Sequence, residues 1–263
     1  ELGSISGSCL NAGIIGTICC AMMFLPGMVA TGTTVAAFFL TVGFCFYGMN
    51  PLNLLPFVLG VFVYSRIKRQ PFAKFVNFAM FSTALAPLVS EVLFRYPDTE
   101  VHGITLLGVA LALLIGVVTG CAMPALCAHS PGFHKGYDLY NAGPAAGFLC
   151  FLFFAVMYKT LGIEAPAIAA TLGEGNWAFV NVFCIITFAL CVVAGFFLSG
   201  KSFKGYKKVL MESGHSVDFA SKCGVGPCVM NVGVYGLFIL LYYNVVGATF
   251  TGPTFGAIWC MLA

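Results

Sequence analysis

The sequence predicts an all-α fold: a polytopic bundle of transmembrane helices with an internal direct repeat and at least one discontinuous helix. Three observations carry that reading. Hydrophobic residues make up 60% of the 263, charged residues only 8%, and the mean hydropathy is +0.99, where a soluble domain carries about 25% charged residues. Apolar stretches of about 20 residues alternate with short charged segments, the pattern of spanning helices and not the roughly ten-residue alternation of a membrane barrel. Two shorter apolar runs, Val35 to Tyr47 and Leu54 to Tyr64, flank the polar stretch Gly48-Met49-Asn50-Pro51-Leu52-Asn53.

Cys9 to Ala30 reads as the first span, with Asn11, Gly13 and Gly16 near its start and Pro26-Gly27 near its end. The two short runs follow. At about 1.5 Å per residue each is roughly 17 to 20 Å long, short of a hydrocarbon core of about 30 Å, so residues 31–65 are expected to form one broken crossing. A break frees backbone groups that lipid cannot satisfy and is tolerated where protein or a water-filled cavity covers it, as in the discontinuous helices of many transporters. Phe75 to Phe94 with Pro87 inside it, Ile104 to Ala128, Tyr137 to Tyr158 and Trp177 to Ser199 are further spans, and Val225 to Ala248 begins another. Lys159 to Asn176, with Glu164, Pro166 and Glu174, is too polar and too rich in Gly and Pro to cross and reads as a loop or interfacial segment.

Charge placement sets an expected orientation. Arg66, Lys68, Arg69 and Lys74 stand without an acid among them, and Lys201, Lys204, Lys207, Lys208 and Lys222 face only Glu212 and Asp218. By the positive-inside rule the loops 66–74 and 200–223 are cytoplasmic, in what is expected to be a bacterial inner membrane. Four spans separate the two loops, an even number, so both fall on one face. The loops 95–103 and 159–176 then lie outside.

Residues 11–37 align without a gap on 231–257, an offset of 220. The matches are Asn11/Asn231, Gly13/Gly233, Gly16/Gly236, Gly27/Gly247, Thr31/Thr251, Gly32/Gly252, Thr34/Thr254 and Ala37/Ala257. Most fall on Asn, Gly and Thr, which membrane helices do not share by composition as they share Leu and Val. A duplication predicts most of a first transmembrane repeat in 1–220, broken helix 31–65 included, and the opening of a second in 221–263. The chain, starting without Met, looks like a piece of a longer protein. With Asn11 starting on the cytoplasmic side as Asn231 does, Thr31 falls outside and 31–66 crosses once. The halves are then parallel, related by an axis along the membrane normal.

Candidate functional residues follow from the same features. Asn50-Pro51 reads as the cap and first residue of a half-helix whose N–H groups and positive dipole end would point into the membrane, toward a carbonyl or an anion; an ordinary interfacial loop is the other reading. Asn11, Asn231 and, in a looser version, Asn141 open spans of the form Asn-x-Gly-x-x-Gly. They either line a path or hydrogen-bond between helices that the glycines bring close. Thr31 and Thr34, with Thr251 and Thr254, cap a helix or line a pore mouth.

Absences narrow the classes. No ionisable residue falls at the centre of any span; Glu91 and Arg95, one turn apart, suit an ordinary ion pair, and Asp138 sits at a span end. Proton-coupled carriers usually need such a group. His102, His129, His134 and His215 are in loops at no metal-binding spacing, and no nucleophile stands beside a base, so neither metal, cofactor nor enzymatic activity is expected. Most of the twelve cysteines lie within apolar runs, as small hydrophobes do.

The Asn-x-Gly-x-x-Gly opening, the stretch Gly48-x-Asn50-Pro51-x-Asn53-x-x-Pro56 and the duplication together resemble an uncharacterised bacterial multi-pass membrane family, a domain of unknown function. Asn11-Ala12 and Asn50-Pro51 within two homologous halves are also remotely similar to urea transporters, whose full signature the chain does not match. The expected function is a transporter or channel for a small neutral or anionic solute, its path centred on Asn50, Pro51 and Asn53 and lined by Asn11, Asn141, Asn231, Thr31 and Thr34. The alternative is a non-transporting membrane scaffold or assembly protein. Expected partners are the lipid bilayer and the solute, with homo-oligomerisation left open and nucleic acid excluded.

Overall fold

The computed structural model describes residues 5–95, 103–138, 140–160, 177–248 and 250–261. The expected loops at 95–103 and 159–176 lie largely outside them. Every element among the described residues is helical: α1 (Ile5–Met23), α2 (Gly32–Phe44), α3 (Pro51–Ile67), α4 (Val76–Ser82), α5 (Ala86–Phe94), α6 (Leu106–His129), α7 (Pro131–His134), α8 (Ala142–Phe154), α9 (Trp177–Leu198), α10 (Lys204–Met211), α11 (Phe219–Cys223), α12 (Val225–Val245) and α13 (Gly252–Met261). Six stretches are long and apolar enough to cross a membrane: Ser6–Met23, Phe72–Phe94, Leu106–His134, Ala142–Thr160, Ala178–Leu198 and Val225–Val245. Their outward faces carry large apolar side chains such as Leu10, Leu114, Phe151, Ile186 and Leu241, a surface that only a non-aqueous surrounding satisfies. The chain is an integral multi-pass helical protein.

Local chemistry explains the boundaries. Thr105 accepts the Gly108 N–H and starts α6. Between α4 and α5 the helix tightens over Thr83–Leu85 because Pro87 has no N–H for the Thr83 carbonyl; the Ala86 N–H bonds that carbonyl instead. Asp218 caps α11 by accepting from Ala220 N at 3.1 Å, Ser221 N at 3.3 Å and Ser221 Oγ at 2.7 Å. The Ser221 bonds hold its carboxyl below the usual 3.8, so this cap is complete at neutral pH and is released only as acid protonates it.

Residues 31–65 do not form one broken crossing. The second arm, α3, runs antiparallel to the span 72–94: Asn53 bonds Ser90, Tyr64 stacks edge-on against Phe75 at 5.4 Å, and Phe62 meets Phe72 at 5.9 Å. The first arm, α2, runs parallel to that span, with Gly32 against Asp218 and Ala220 in the basic loop, Thr41 donating to the Met80 carbonyl at 3.2 Å, and Phe44 and Tyr47 level with Ala84 and Pro87. Two half-length helices therefore run in opposite directions along the same span, as the arms of a hairpin with both feet on the face of the basic loops. Thr31 is on that face, opposite to the expectation, and the parallel relation between the halves falls with it. The other loops keep their order: Ser216 N donates to Gly136 O at 3.1 Å, joining 129–137 to 201–222 on the same face.

Lipid is as apolar as leucine, so close van der Waals approach, not burial, selects helix pairs. Glycines supply it. A Cβ on Gly60 would strike the Val117 carbonyl, and one on Gly120 the Phe57 carbonyl, so α3 and α6 touch backbone to backbone; Gly116 receives Pro56 in the same seam. A second seam joins α9 to α12, where Gly195 meets Met230, Gly226 meets Ser199 and Gly233 meets Val192. Two cores result: a large one around Phe57, Met80 and Met123, and a smaller one around Cys184, Phe188, Ile239 and Ile258.

Replacing Gly120 by Leu should abolish folding or cost more than the about 1–3 kcal/mol usual for overpacking, since backbone blocks both sides. Gly13→Ala, inside α1 with nothing within 4 Å, should leave the thermal midpoint in detergent unchanged or raise it slightly, since alanine is the better helix former. Equal midpoints for the two variants would contradict the seam.

Candidate functional site

The tip of the α2–α3 hairpin is the most polar point within the apolar bundle. A short 3-10 turn, Cys45–Tyr47, ends at Gly48, whose φ of +94° is a left-handed conformation that glycine adopts without strain. Asn50 follows in an extended conformation and Pro51 opens α3. The Asn50 Oδ1 accepts from Leu52 N at 3.0 Å and Asn53 N at 3.2 Å, and Asn53 Oδ1 accepts the Asn50 N–H at 2.7 Å. This reciprocal box, made with two asparagines, pairs the orphan donors of the first turn. Leu54 N donates to the Asn50 carbonyl at 3.0 Å, so no N–H of that turn is left over. The expectation of open donors at the start of this half-helix is corrected: the cap occupies them.

Asn53 does more than cap. It is 3% exposed, and its Nδ2 donates both to Gly48 O at 3.0 Å and to Ser90 Oγ at 2.8 Å, tying the tip to α5. Asn11 reaches from α1 and donates to the Met49 carbonyl at 2.7 Å. Asn11, Asn50, Pro51 and Asn53 are thus brought together around one turn, with Asn50 and Pro51 half-buried on its outer side. By rise along the span 72–94, Ser90 stands about 27 Å from Phe72, so the tip lies toward the face away from the basic loops and not midway between them. The next turn of α5 carries Glu91, which pairs with Arg95 at 3.7 Å and accepts from Tyr158 Oη at 3.2 Å.

The other candidates lie elsewhere. Thr31 and Thr34 begin α2 at its opposite end, where the Thr31 N–H donates to Thr34 Oγ1 at 3.0 Å; this is the capping role. Asn141 has φ +60° at the start of α8, beside Asp138 and the basic face. Asn231 is half-buried on α12. Ser90 was not legible in advance, being one hydroxyl in an apolar helix.

Beside the tip lies a recess of about 290 Å3, lined by Phe44, Tyr47, Ala84, Pro87, Ala257, Cys260 and Met261. Its walls are almost wholly apolar, with Tyr47 and Cys260 the lining residues that carry a polar side-chain group. No cluster of metal-ligating side chains occurs among the described residues.

Asn53→Ala removes the partner of the Asn50 N–H and of Ser90 Oγ and the shorter of two donors to Gly48 O, groups that are partly buried, for a loss approaching the about 1–3 kcal/mol of an unpaired buried group. It should destabilise more than Asn50→Ala, a cap loss of about 0.5–2 kcal/mol. Unfolding of both variants in detergent checks the order, and the reverse order would mean that Asn53 does not hold the tip.

A family model described as "Protein of unknown function (DUF1576)" matches residues 1–159 and 198–263. No curated protein and no solved structure matches the chain, and the likeness to urea transporters finds no support there.

Proposed function

Because the chain belongs to that family, whose description assigns no activity, we propose from geometry that this multi-pass membrane protein is a transporter or channel for a small neutral solute, with the hairpin tip Gly48–Asn53 as the polar point of its path. The observation that carries the reading is a turn held by three amides, Asn50 half-buried among them, that follows directly on Tyr47, a lining residue of the apolar recess. A small pocket with apolar walls and a few fixed polar groups is the usual form of a small-molecule site. Neutral is favoured over anionic. The first-turn donors of α3 are all paired within the cap, and the nearest ionised groups, Glu91 and Arg95, are paired with each other, so an anion finds no unspent positive charge there.

A specific observation favours a second reading, that of a non-transporting scaffold. The amide of Asn53 is engaged at both ends by the protein itself and that of Asn11 holds the Met49 carbonyl, as structural groups do. The two readings differ in what Asn50 and the recess do.

Flux of urea, small amides, polyols and small anions into proteoliposomes of the full-length protein separates them. Asn50→Ser keeps a cap oxygen and removes the amide Nδ2, which lies 3.5 Å from Gly48 O, and Ala257→Phe fills the recess. Transport of a neutral solute that Ala257→Phe reduces at least tenfold and Asn50→Ser reduces or re-selects, with both variants folded, supports the proposal. Transport of anions alone overturns the preference for a neutral solute. No flux of any solute by folded wild-type protein favours the scaffold.

A further inference from the structure

The segments related by the offset of 220 fold in register. The second helix of each begins at Gly32 and Gly252, 220 apart. The connections use the same device, a left-handed glycine at Gly27 (φ +84°) and Gly247 (φ +64°). The second helices have the same cap: the Thr31 N–H donates to Thr34 Oγ1 at 3.0 Å and the Thr251 N–H to Thr254 Oγ1 at 2.6 Å, with the two hydroxyls of each pair 3.3 Å apart. Register, turn and cap are three separate features, and composition bias alone does not reproduce them together.

Direction distinguishes the copies. Gly32, just after α1, rests on Asp218 and Ala220 of the basic loop, so α1 runs toward the basic face. The helix α12 starts directly after that loop, at Val225, and runs away from it.

The copies also meet. Along α2 and α13, Phe46 packs on Phe255 at 5.0 Å, Gly43 on Gly256 and Cys260, the Leu40 carbonyl on Cys260 Sγ at 3.6 Å, and Phe39 on Trp259 at 6.2 Å. The numbers fall on one helix as they rise on the other, so the helices are antiparallel. Phe39 and Trp259, like Leu40 and Cys260, are 220 apart. Each touches its own counterpart, as residues at the axis of an isologous contact do.

We infer that α1–α2 and α12–α13 are inverted copies, related by a pseudo-two-fold axis that lies in the membrane plane and passes through the crossing of α2 and α13. The crossing is one of the contacts by which the smaller core, around α9 and α12, meets the hairpin. At its centre the small residues Gly43, Gly256 and Cys260 bring the two backbones close, with the Phe46–Phe255 and Phe39–Trp259 ring pairs flanking them. Two copies of opposite direction have equivalent packings that face opposite sides of a membrane. The seam is therefore a conformational hinge whose two settings expose the recess beside it to one face or the other. That last step rests on the transport reading; the inverted relation does not.

Membrane-impermeant maleimide labelling tests the inverted relation without any transport measurement. Phe24→Cys and Val246→Cys place exposed thiols in the two equivalent connections, and Lys201→Cys marks the basic loop; wild type gives the background of native cysteines. In sealed right-side-out and inverted vesicles, Phe24→Cys should label from the face of Lys201→Cys, and Val246→Cys from the opposite face. Labelling of Phe24→Cys and Val246→Cys from the same face overturns the proposal. Should a cysteine variant not fold, epitope insertions after Gly27 and Gly247, read by antibody in the same vesicles, give the same two outcomes.

Discussion

The constraint on which the structure depends is that a backbone turned inside an apolar layer must satisfy its own polar groups. The hairpin of α2 and α3 reverses direction over Gly48–Asn50, and each freed group there has a named partner. Asn53 supplies both ends of its amide, to the Asn50 N–H, the Gly48 carbonyl and Ser90, and Asn11 supplies the partner of the Met49 carbonyl. An unpaired carbonyl or N–H in hydrocarbon costs several kcal/mol, more than the whole net value of an ordinary hydrogen bond. Without these two amides the turn that joins α2 to α3 would be left with unpaired carbonyls and an unpaired N–H.

The same absence of water governs how the helices pack. With no difference between leucine and lipid, helices associate where their backbones come closest, and the glycine seams decide the neighbours. Gly60, Gly116 and Gly120 commit α3 to α6; Gly195, Gly226 and Gly233 commit α9 to α12. The hairpin is thus held on one side by backbone contact and at its tip by amides. The arm α2 belongs to the larger core and is joined through Gly43 and Gly256 to α13 of the smaller one, a link made a second time where Ser216 bonds Gly136.

How much of this was legible follows from what each signal encodes. Span positions are written as runs of apolar residues, and the six long spans fall where the runs predict them. The cap at Asn50-Pro51 is written as residue type and position, and it forms as read. The direction of the chain is not written in a run at all. Two half-length helices satisfy the same hydropathy stacked end to end or folded side by side, and a repeat fixes register without fixing orientation. The parity argument chose stacking by assuming parallel halves. What overturns it is the contact of Gly32 with Asp218 across 186 residues of sequence, a long-range fact with no local signature. Ser90 was invisible for the same reason: its role exists only because α3 lies against α5.

The amides at the tip also bear on what such a site could recognise. An asparagine side chain is neutral and carries as many donors as acceptors. With Asn53 spent on the chain and Asn11 holding the Met49 carbonyl, the partly exposed amide left at the turn is that of Asn50, whose oxygen is taken by the cap. A charged solute would find no unpaired first-turn donor of α3 there in place of the water it shed, and the Glu91–Arg95 pair beside Ser90 holds its own charges together. On the transport reading, a preference for an uncharged solute would come from what the fold has already consumed: the donors that would attract an anion are the ones that cap the turn.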